Sequence, residues 1–123
     1  QYAVDTGFRM VNTNLVNIED TFFLENIIYN ELISRDYEVF VGKTYKGEID
    51  FVVISGKKKC FIQVAYYLSG QETIDREFGA FKPISDAAPK YVLSLDRLDF
   101  SRDGIAHINI IDFLLGKKEL ILT

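Results

Sequence analysis

Gly47-Glu48-Ile49-Asp50-Phe51-Val52-Val53-Ile54 and Cys60-Phe61-Ile62-Gln63-Val64-Ala65-Tyr66 are two runs dense in β-branched and aromatic residues, joined by Ser55-Gly56-Lys57-Lys58-Lys59. That layout reads as an antiparallel hairpin. With Gly56-Lys57 as a two-residue turn, glycine first as a type II′ turn prefers, Phe51 stands opposite Ile62 and Asp50 opposite Gln63. Opposed residues share a face and successive residues alternate. One side is therefore expected to carry Glu48, Asp50, Val52, Phe61, Gln63 and Ala65, and the other Ile49, Phe51, Val53, Cys60, Ile62 and Val64. The second side is a plain core face. The first sets an acid beside an amide among apolar neighbours, and a buried carboxylate costs on the order of several kcal/mol unless it is paired, protonated or bound to a cation. Two accounts of Asp50 follow. Either it and Gln63 hydrogen-bond each other or a helix end, or the spot holds, or once held, a metal ion.

Upstream of the hairpin, about Asn17 to Ser34 is helical in pattern, with Asn17 as N-cap and Glu19 and Asp20 at the positive end of the helix dipole. At about 100° per residue, Phe22, Ile28, Tyr29, Leu32 and Ile33 fall within roughly 80° of Glu25. Glu25 is thus centred on the face expected to pack inward, where a helix normally carries Leu or Ala. It either accepts backbone or tyrosine hydrogen bonds there, or points at the same polar spot as Asp50. Tyr37 to Tyr45 is a further extended run that turns at Lys46-Gly47 into the hairpin.

Before the helix, Tyr2-Ala3-Val4 reads as extended, Asp5-Thr6-Gly7 as a turn, and Phe8 to Val16 as a short segment. The chain begins inside a strand-like run without an initiator methionine, so we expect a piece excised from a longer protein. Residues 1–16 would be a lead-in and 17–123 the domain proper. After the hairpin, Glu72 to about Phe81 is an amphipathic helix ending near Pro83. Lys90 to Asp96 is a buried-looking strand, His107 to Ile111 a last strand, and Asp112 to Leu115 a short helix that Gly116 ends. The order helix, three strands, helix, strand, strand predicts a mixed sheet flanked by helices, α/β in class or α+β on a strict definition.

With 123 residues, 48% hydrophobic and 26% charged, the chain suits one ordinary globular domain. No apolar run approaches the roughly 18 residues of a membrane span, and no basic-then-apolar leader opens it. A cytoplasmic setting is the expectation. Cys60 falls on the core face, and with a single histidine, His107, remote in sequence, neither a zinc site nor a Cys-His dyad is expected. The net charge of −4 argues against a strongly basic nucleic-acid clamp. A local one would use Lys43, Lys46, Lys57, Lys58 and Lys59 around the hairpin. No Gly-x-x-x-x-Gly-Lys-Ser/Thr motif occurs, so no P-loop binds ATP in this chain.

A helix with an inward glutamate, then Gly47-Glu48-Ile49-Asp50 on the second strand, then Gln63-Val64-Ala65 where a third strand would carry an acid-x-lysine, resembles the PD-(D/E)XK nuclease-like fold of restriction endonucleases and Holliday-junction resolvases. Further stretches carry the likeness: Glu25-Asn26-Ile27-Ile28-Tyr29-Asn30-Glu31-Leu32, Arg35-Asp36-Tyr37-Glu38-Val39, Pro89-Lys90-Tyr91-Val92-Leu93-Ser94 and Ile108-Asn109-Ile110-Ile111-Asp112-Phe113-Leu114. With Tyr2-Ala3-Val4-Asp5-Thr6-Gly7-Phe8 they look like the domain of unknown function that follows the ATPase module in bacterial and archaeal AAA+-type ATPases.

The resemblance implies Glu25 as the helix acid and Asp50 as the metal-binding aspartate. In an active member two carboxylates hold magnesium, which polarises the phosphate and activates water, and the lysine assists. Here Gln63 is neutral and Ala65 offers nothing, so the site is expected to be degenerate. Glu48 is a candidate substitute ligand beside Asp50, and Lys43 a candidate substitute for the lysine. The expected function is a non-catalytic accessory domain that contacts its own ATPase region, DNA or another protein. The alternative is a magnesium-dependent nuclease using Glu25, Glu48 and Asp50.

Overall fold

The computed structural model describes residues 2–4, 8–12 and 20–123, with side chains from residue 23 onward. Strands β1 (Tyr2–Val4) and β2 (Phe8–Asn12) precede helix α1 (Asp20–Ser34). Then come β3 (Glu38–Thr44), β4 (Gly47–Ser55), β5 (Lys58–Val64), α2 (Gln71–Gly79), β6 (Lys90–Ser94), β7 (Ala106–Asn109) and α3 (Ile110–Leu114). The expected cap Asn17, Glu19 and the Asp5-Thr6-Gly7 turn lie outside the described residues, as does the side chain of Phe22. The seven strands form one mixed sheet in sequence order. β1 to β5 pair antiparallel, and β6 and β7 add in parallel after the α2 crossover. The α+β class and the order helix, three strands, helix, strand, strand are those read from the sequence.

The hairpin has the expected register. Phe51 faces Ile62, Val52 faces Phe61 and Ser55 faces Lys58. Gly56 has φ 64° while Lys57 is not in the left-handed region, as a type II′ turn requires. One face of the sheet packs Phe51, Val53, Cys60, Ile62 and Val64 against Leu24, Ile28 and Leu32 of α1 and Ile110 and Phe113 of α3. The other packs Val52, Phe61 and Val92 against Phe78 of α2 and the segment beyond it, Phe81 and Ile84. Fully burying side chains such as Ile28 and Leu32 contributes about 1.5–3 kcal/mol each. Cys60 is buried, which pushes its thiol up to about 12 and leaves it inert.

Three sequence expectations need correction. Ile49 does not join Phe51 and Val53; it packs with Val52 and Phe61 on the α2 side. The cause is a β-bulge: Phe40 pairs with Val52 but Gly42 pairs with Ile49, so Val41 alone opposes Asp50 and Phe51. Gly42 permits the close approach, since a Cβ there would lie 3.1 Å from both Ile49 Cβ and Val52 Cγ2. Second, Glu25 is not at the centre of the packed face of α1. The buried stripe runs Leu24, Ile28, Leu32 at spacing four, Ile33 is 43% exposed, and Glu25 is half-buried at the stripe's edge. Third, α3 starts at Ile110 because Asn109 caps it, its Oδ1 accepting the Asp112 N–H at 3.0 Å.

Candidate functional site

Asp50 sits in the bulge, where the β4–β5 ladder would otherwise continue past Phe51 and Ile62. Side chains take over the ladder there. The Asp50 N–H donates to Gln63 Oε1 at 2.7 Å, and the Val64 N–H donates to Asp50 Oδ2 at 2.8 Å. Gln63 Nε2 donates to Glu77 Oε1 at 3.2 Å, so the amide's orientation is fixed by a main-chain donor on one side and a carboxylate on the other. Gln63 is only 7% exposed, and all its bonding is internal to the fold. The bond between Asp50 and Gln63 that the sequence suggests is therefore made by the Asp50 main chain to the Gln63 side chain, while the Asp50 carboxylate accepts from the next residue, Val64.

A cavity of about 410 Å³ brings Glu25 of α1, Asp50 of β4, Gln63 and Val64 of β5 and Thr73 and Glu77 of α2 together. Burial, then the charges of Glu48 and Glu77, push the Glu25 carboxyl from 4.5 to about 7. Burial also holds the Asp50 carboxyl well above the usual aspartate range, with the charge of Glu25 adding to it. The Val64 N–H opposes that rise, and Glu77 and Glu48 reinforce it. Glu77 escaped the sequence reading. Its signal was available, since Thr73 and Glu77 are four apart and share a helix face beside the apolar Ile74–Phe78 stripe.

The proposed substitutes find each other instead of Asp50. Lys43 and Glu48 are opposed across β3 and β4, and the ammonium pairs with the carboxylate. Glu48 lines a neighbouring cavity of about 330 Å³, for which Gln63 and Glu77 form a shared wall. Asp50 Oδ2 and Gln63 Oε1 already accept main-chain N–H groups, Glu48 is held by Lys43, and Ala65 stands where the resemblance asks for a lysine. Among the described residues, no three His, Cys, Asp or Glu are grouped to hold a metal ion.

The lysines of the expected nucleic-acid surface do not gather. Lys43 and Lys46 lie at the β3–β4 turn and Lys57 to Lys59 at the β4–β5 turn, opposite ends of β4. At about 3.3 Å per residue the two ends stand roughly 26 Å apart. Lys59 is further diverted, its Nζ 2.5 Å from Asp86 Oδ2.

Ser94, His107 and Asp96 look like a nucleophile, base and acid, but the proton positions are wrong for attack. His107 Nδ1 accepts the Phe100 N–H at 3.2 Å, so in the neutral ring Nε2 carries the hydrogen and donates it to Ser94 Oγ at 2.7 Å. Ser94 in turn donates to Asp96 Oδ2 at 2.7 Å. Burial lowers the His107 pKa, which keeps the ring neutral. With Ser94 fully buried, the three tie the ends of β6 and β7 together.

The fold and this polar junction define a mixed α+β domain with an acidic cavity at a bulged strand. An uncharacterized protein of Haemophilus influenzae is 30% identical over 115 residues, covering 93% of this chain and 28% of that protein. This chain therefore spans little more than a quarter of the relative's length. No protein-family model and no solved structure matches the chain. No helix among the described residues is long and apolar enough to cross a membrane.

Proposed function

We propose that this chain is an accessory domain of a longer, cytoplasmic AAA+-type ATPase, with a degenerate PD-(D/E)XK-like site that serves binding or docking rather than catalysis. One observation carries the reading. In the two residues that would anchor a metal, Asp50 Oδ2 and Gln63 Oε1 each accept a main-chain N–H from the other's strand. A hard-cation site needs several free anionic oxygens, and nuclease chemistry needs charge stabilisation of the attacking water and the phosphate. Burial and the charges of Glu48 and Glu77 raise Glu25 to about 7, which favours its protonated form and weakens it as a ligand. The match that occupies 28% of the Haemophilus protein leaves room in that protein for a further region, in keeping with an accessory role. Partners in this reading are the ATPase region of the same polypeptide, DNA or another protein.

The test is cleavage of supercoiled plasmid in magnesium or manganese. The reading predicts no nicking above buffer. Nicking that disappears in Asp50→Asn would replace it with the metal-dependent nuclease that uses Glu25, Glu48 and Asp50, for which the shared cavity of Glu25 and Asp50 is the favouring observation.

A further inference from the structure

Across α2 from the acidic cavity lies one of opposite character. Its volume is about 380 Å³, within the usual range of ligand pockets, and its walls are Phe78, Phe81, Ile84, Ala88 and Ile105. Three cations, Lys82, Lys90 and Arg102, line it against one acid, Asp103, in a chain whose net charge is −4.

Arg102 is held rigidly. It opens a two-residue hairpin closed by Arg102 N–H to Ile105 O at 3.0 Å and Ile105 N–H to Arg102 O at 2.8 Å. The central residues Asp103 (φ 53°) and Gly104 (φ 78°) give it type I′ geometry. Its Nη1 donates to Asp75 Oδ1 at 2.8 Å and its guanidinium lies 5.2 Å from the Phe78 ring centroid. The Nε edge is left over. Arg102 Nε is the buried side-chain polar atom, among the described residues, that has no hydrogen-bond partner. Asp103 Oδ2 makes an ion pair with it at 3.7 Å, beyond hydrogen-bond range. Buried polar groups in folded proteins are almost always satisfied, so an orphan donor beside an apolar cavity points to an absent acceptor.

Lys90 adds a second anchor. Its Nζ donates to Asp86 O at 2.5 Å and Ala88 O at 3.2 Å and lies 5.6 Å from the Phe61 ring centroid, which leaves one ammonium hydrogen without an oxygen acceptor, while the Asp86 carboxylate is engaged by Lys59. Desolvation lowers the Lys90 pKa against the opposing pull of Asp86, so an incoming anion would find an under-compensated charge.

We propose that this cavity binds a small amphipathic monocarboxylate. Its apolar body packs on Phe78, Phe81, Ile84 and Ile105, and its carboxylate displaces the exposed Asp103 side chain to accept from Arg102 Nε, with Lys90 supplying charge. A phosphate dianion would ask for more donors than one Nε–H and one ammonium hydrogen provide.

Octanoate and its neutral counterpart octanamide are the probes, followed by ¹H–¹⁵N spectra that include arginine Nε–H. Saturable shifts of the Arg102 Nε–H and the Phe78 and Ile105 amides with octanoate, and affinity at least about tenfold weaker for octanamide, support the site. Arg102→Lys keeps the charge but removes the fork, and Lys90→Gln removes the second cation; each should weaken octanoate by a similar factor, whereas Lys43→Gln should not. Circular dichroism checks that each variant is folded. Equal binding of octanamide, shifts centred elsewhere, unchanged affinity in both folded variants, or no shift at about 10 mM octanoate, where a millimolar site would be mostly filled, would overturn the proposal.

Discussion

Glu25→Gln should make this domain more stable at alkaline pH and leave it nearly unchanged in mild acid. The native fold raises the Glu25 carboxyl from 4.5 to about 7, chiefly by burial and then by the charges of Glu48 and Glu77. A folded pKa above the unfolded one means that the native state holds the proton more tightly, so stability falls as pH rises from 4.5, and the loss is complete above about 7. At about 1.4 kcal/mol per pKa unit the full effect would be roughly 3 kcal/mol. Glu25 is partly exposed, and solvent screening brings this to about 1–2 kcal/mol. Glutamine has nearly the same helix propensity and shape, so the substitution removes the charge and little else. Urea unfolding followed by circular dichroism between about pH 4.5 and pH 8 reads the difference directly, with the gain growing across that window. If Glu25 instead serves as an anionic hydrogen-bond acceptor, the variant loses about 1–3 kcal/mol near pH 8. That loss, or a difference that does not vary with pH, would refute the reasoning.

Gln63→Leu should cost about 1–3 kcal/mol, because the Asp50 N–H and the Glu77 carboxylate both lose their partner in a site where Gln63 is 7% exposed; an unchanged melting temperature would mean the junction is dispensable. Gly42→Ala should destabilise by about 1–3 kcal/mol, since its Cβ would meet Ile49 and Val52 at 3.1 Å. Gly79→Ala in the last turn of α2, with nothing within 4 Å, should be neutral or gain about 0.5–1 kcal/mol, so thermal melts that rank the two glycines alike would contradict the bulge packing.

The hairpin was legible because its determinants are local. Gly56 fixes the turn, the turn fixes the register, and alternation then assigns the faces of Phe51, Val53, Cys60 and Ile62. The bulge at Asp50 was not, because one extra residue on β4 is decided by how β3 packs beside it, and the only trace in the sequence is a glycine, Gly42, whose role appears once its neighbours are known. That Glu25 and Asp50 line one cavity was anticipated from the sequence, although the helix periodicity that suggested it misplaced Glu25 at the centre of the buried stripe. The pairing of Lys43 with Glu48 was not foreseen because the turn was read at Lys46-Gly47, whereas Thr44 pairs with Gly47 around Tyr45-Lys46 and so sets Lys43 opposite Glu48. Glu77 and Arg102 belong to segments read only as amphipathic or loop, where which side chain meets the sheet is settled by the crossover.

Calorimetric titration of manganese into the folded domain near pH 7.5 tests the central claim most directly. With Asp50 Oδ2 and Gln63 Oε1 engaged by main-chain donors, no saturable heat is predicted up to about 5 mM, where a site of millimolar affinity would be mostly occupied. A stoichiometric isotherm abolished by Asp50→Asn would show that the junction opens to take a cation, and would contradict the account.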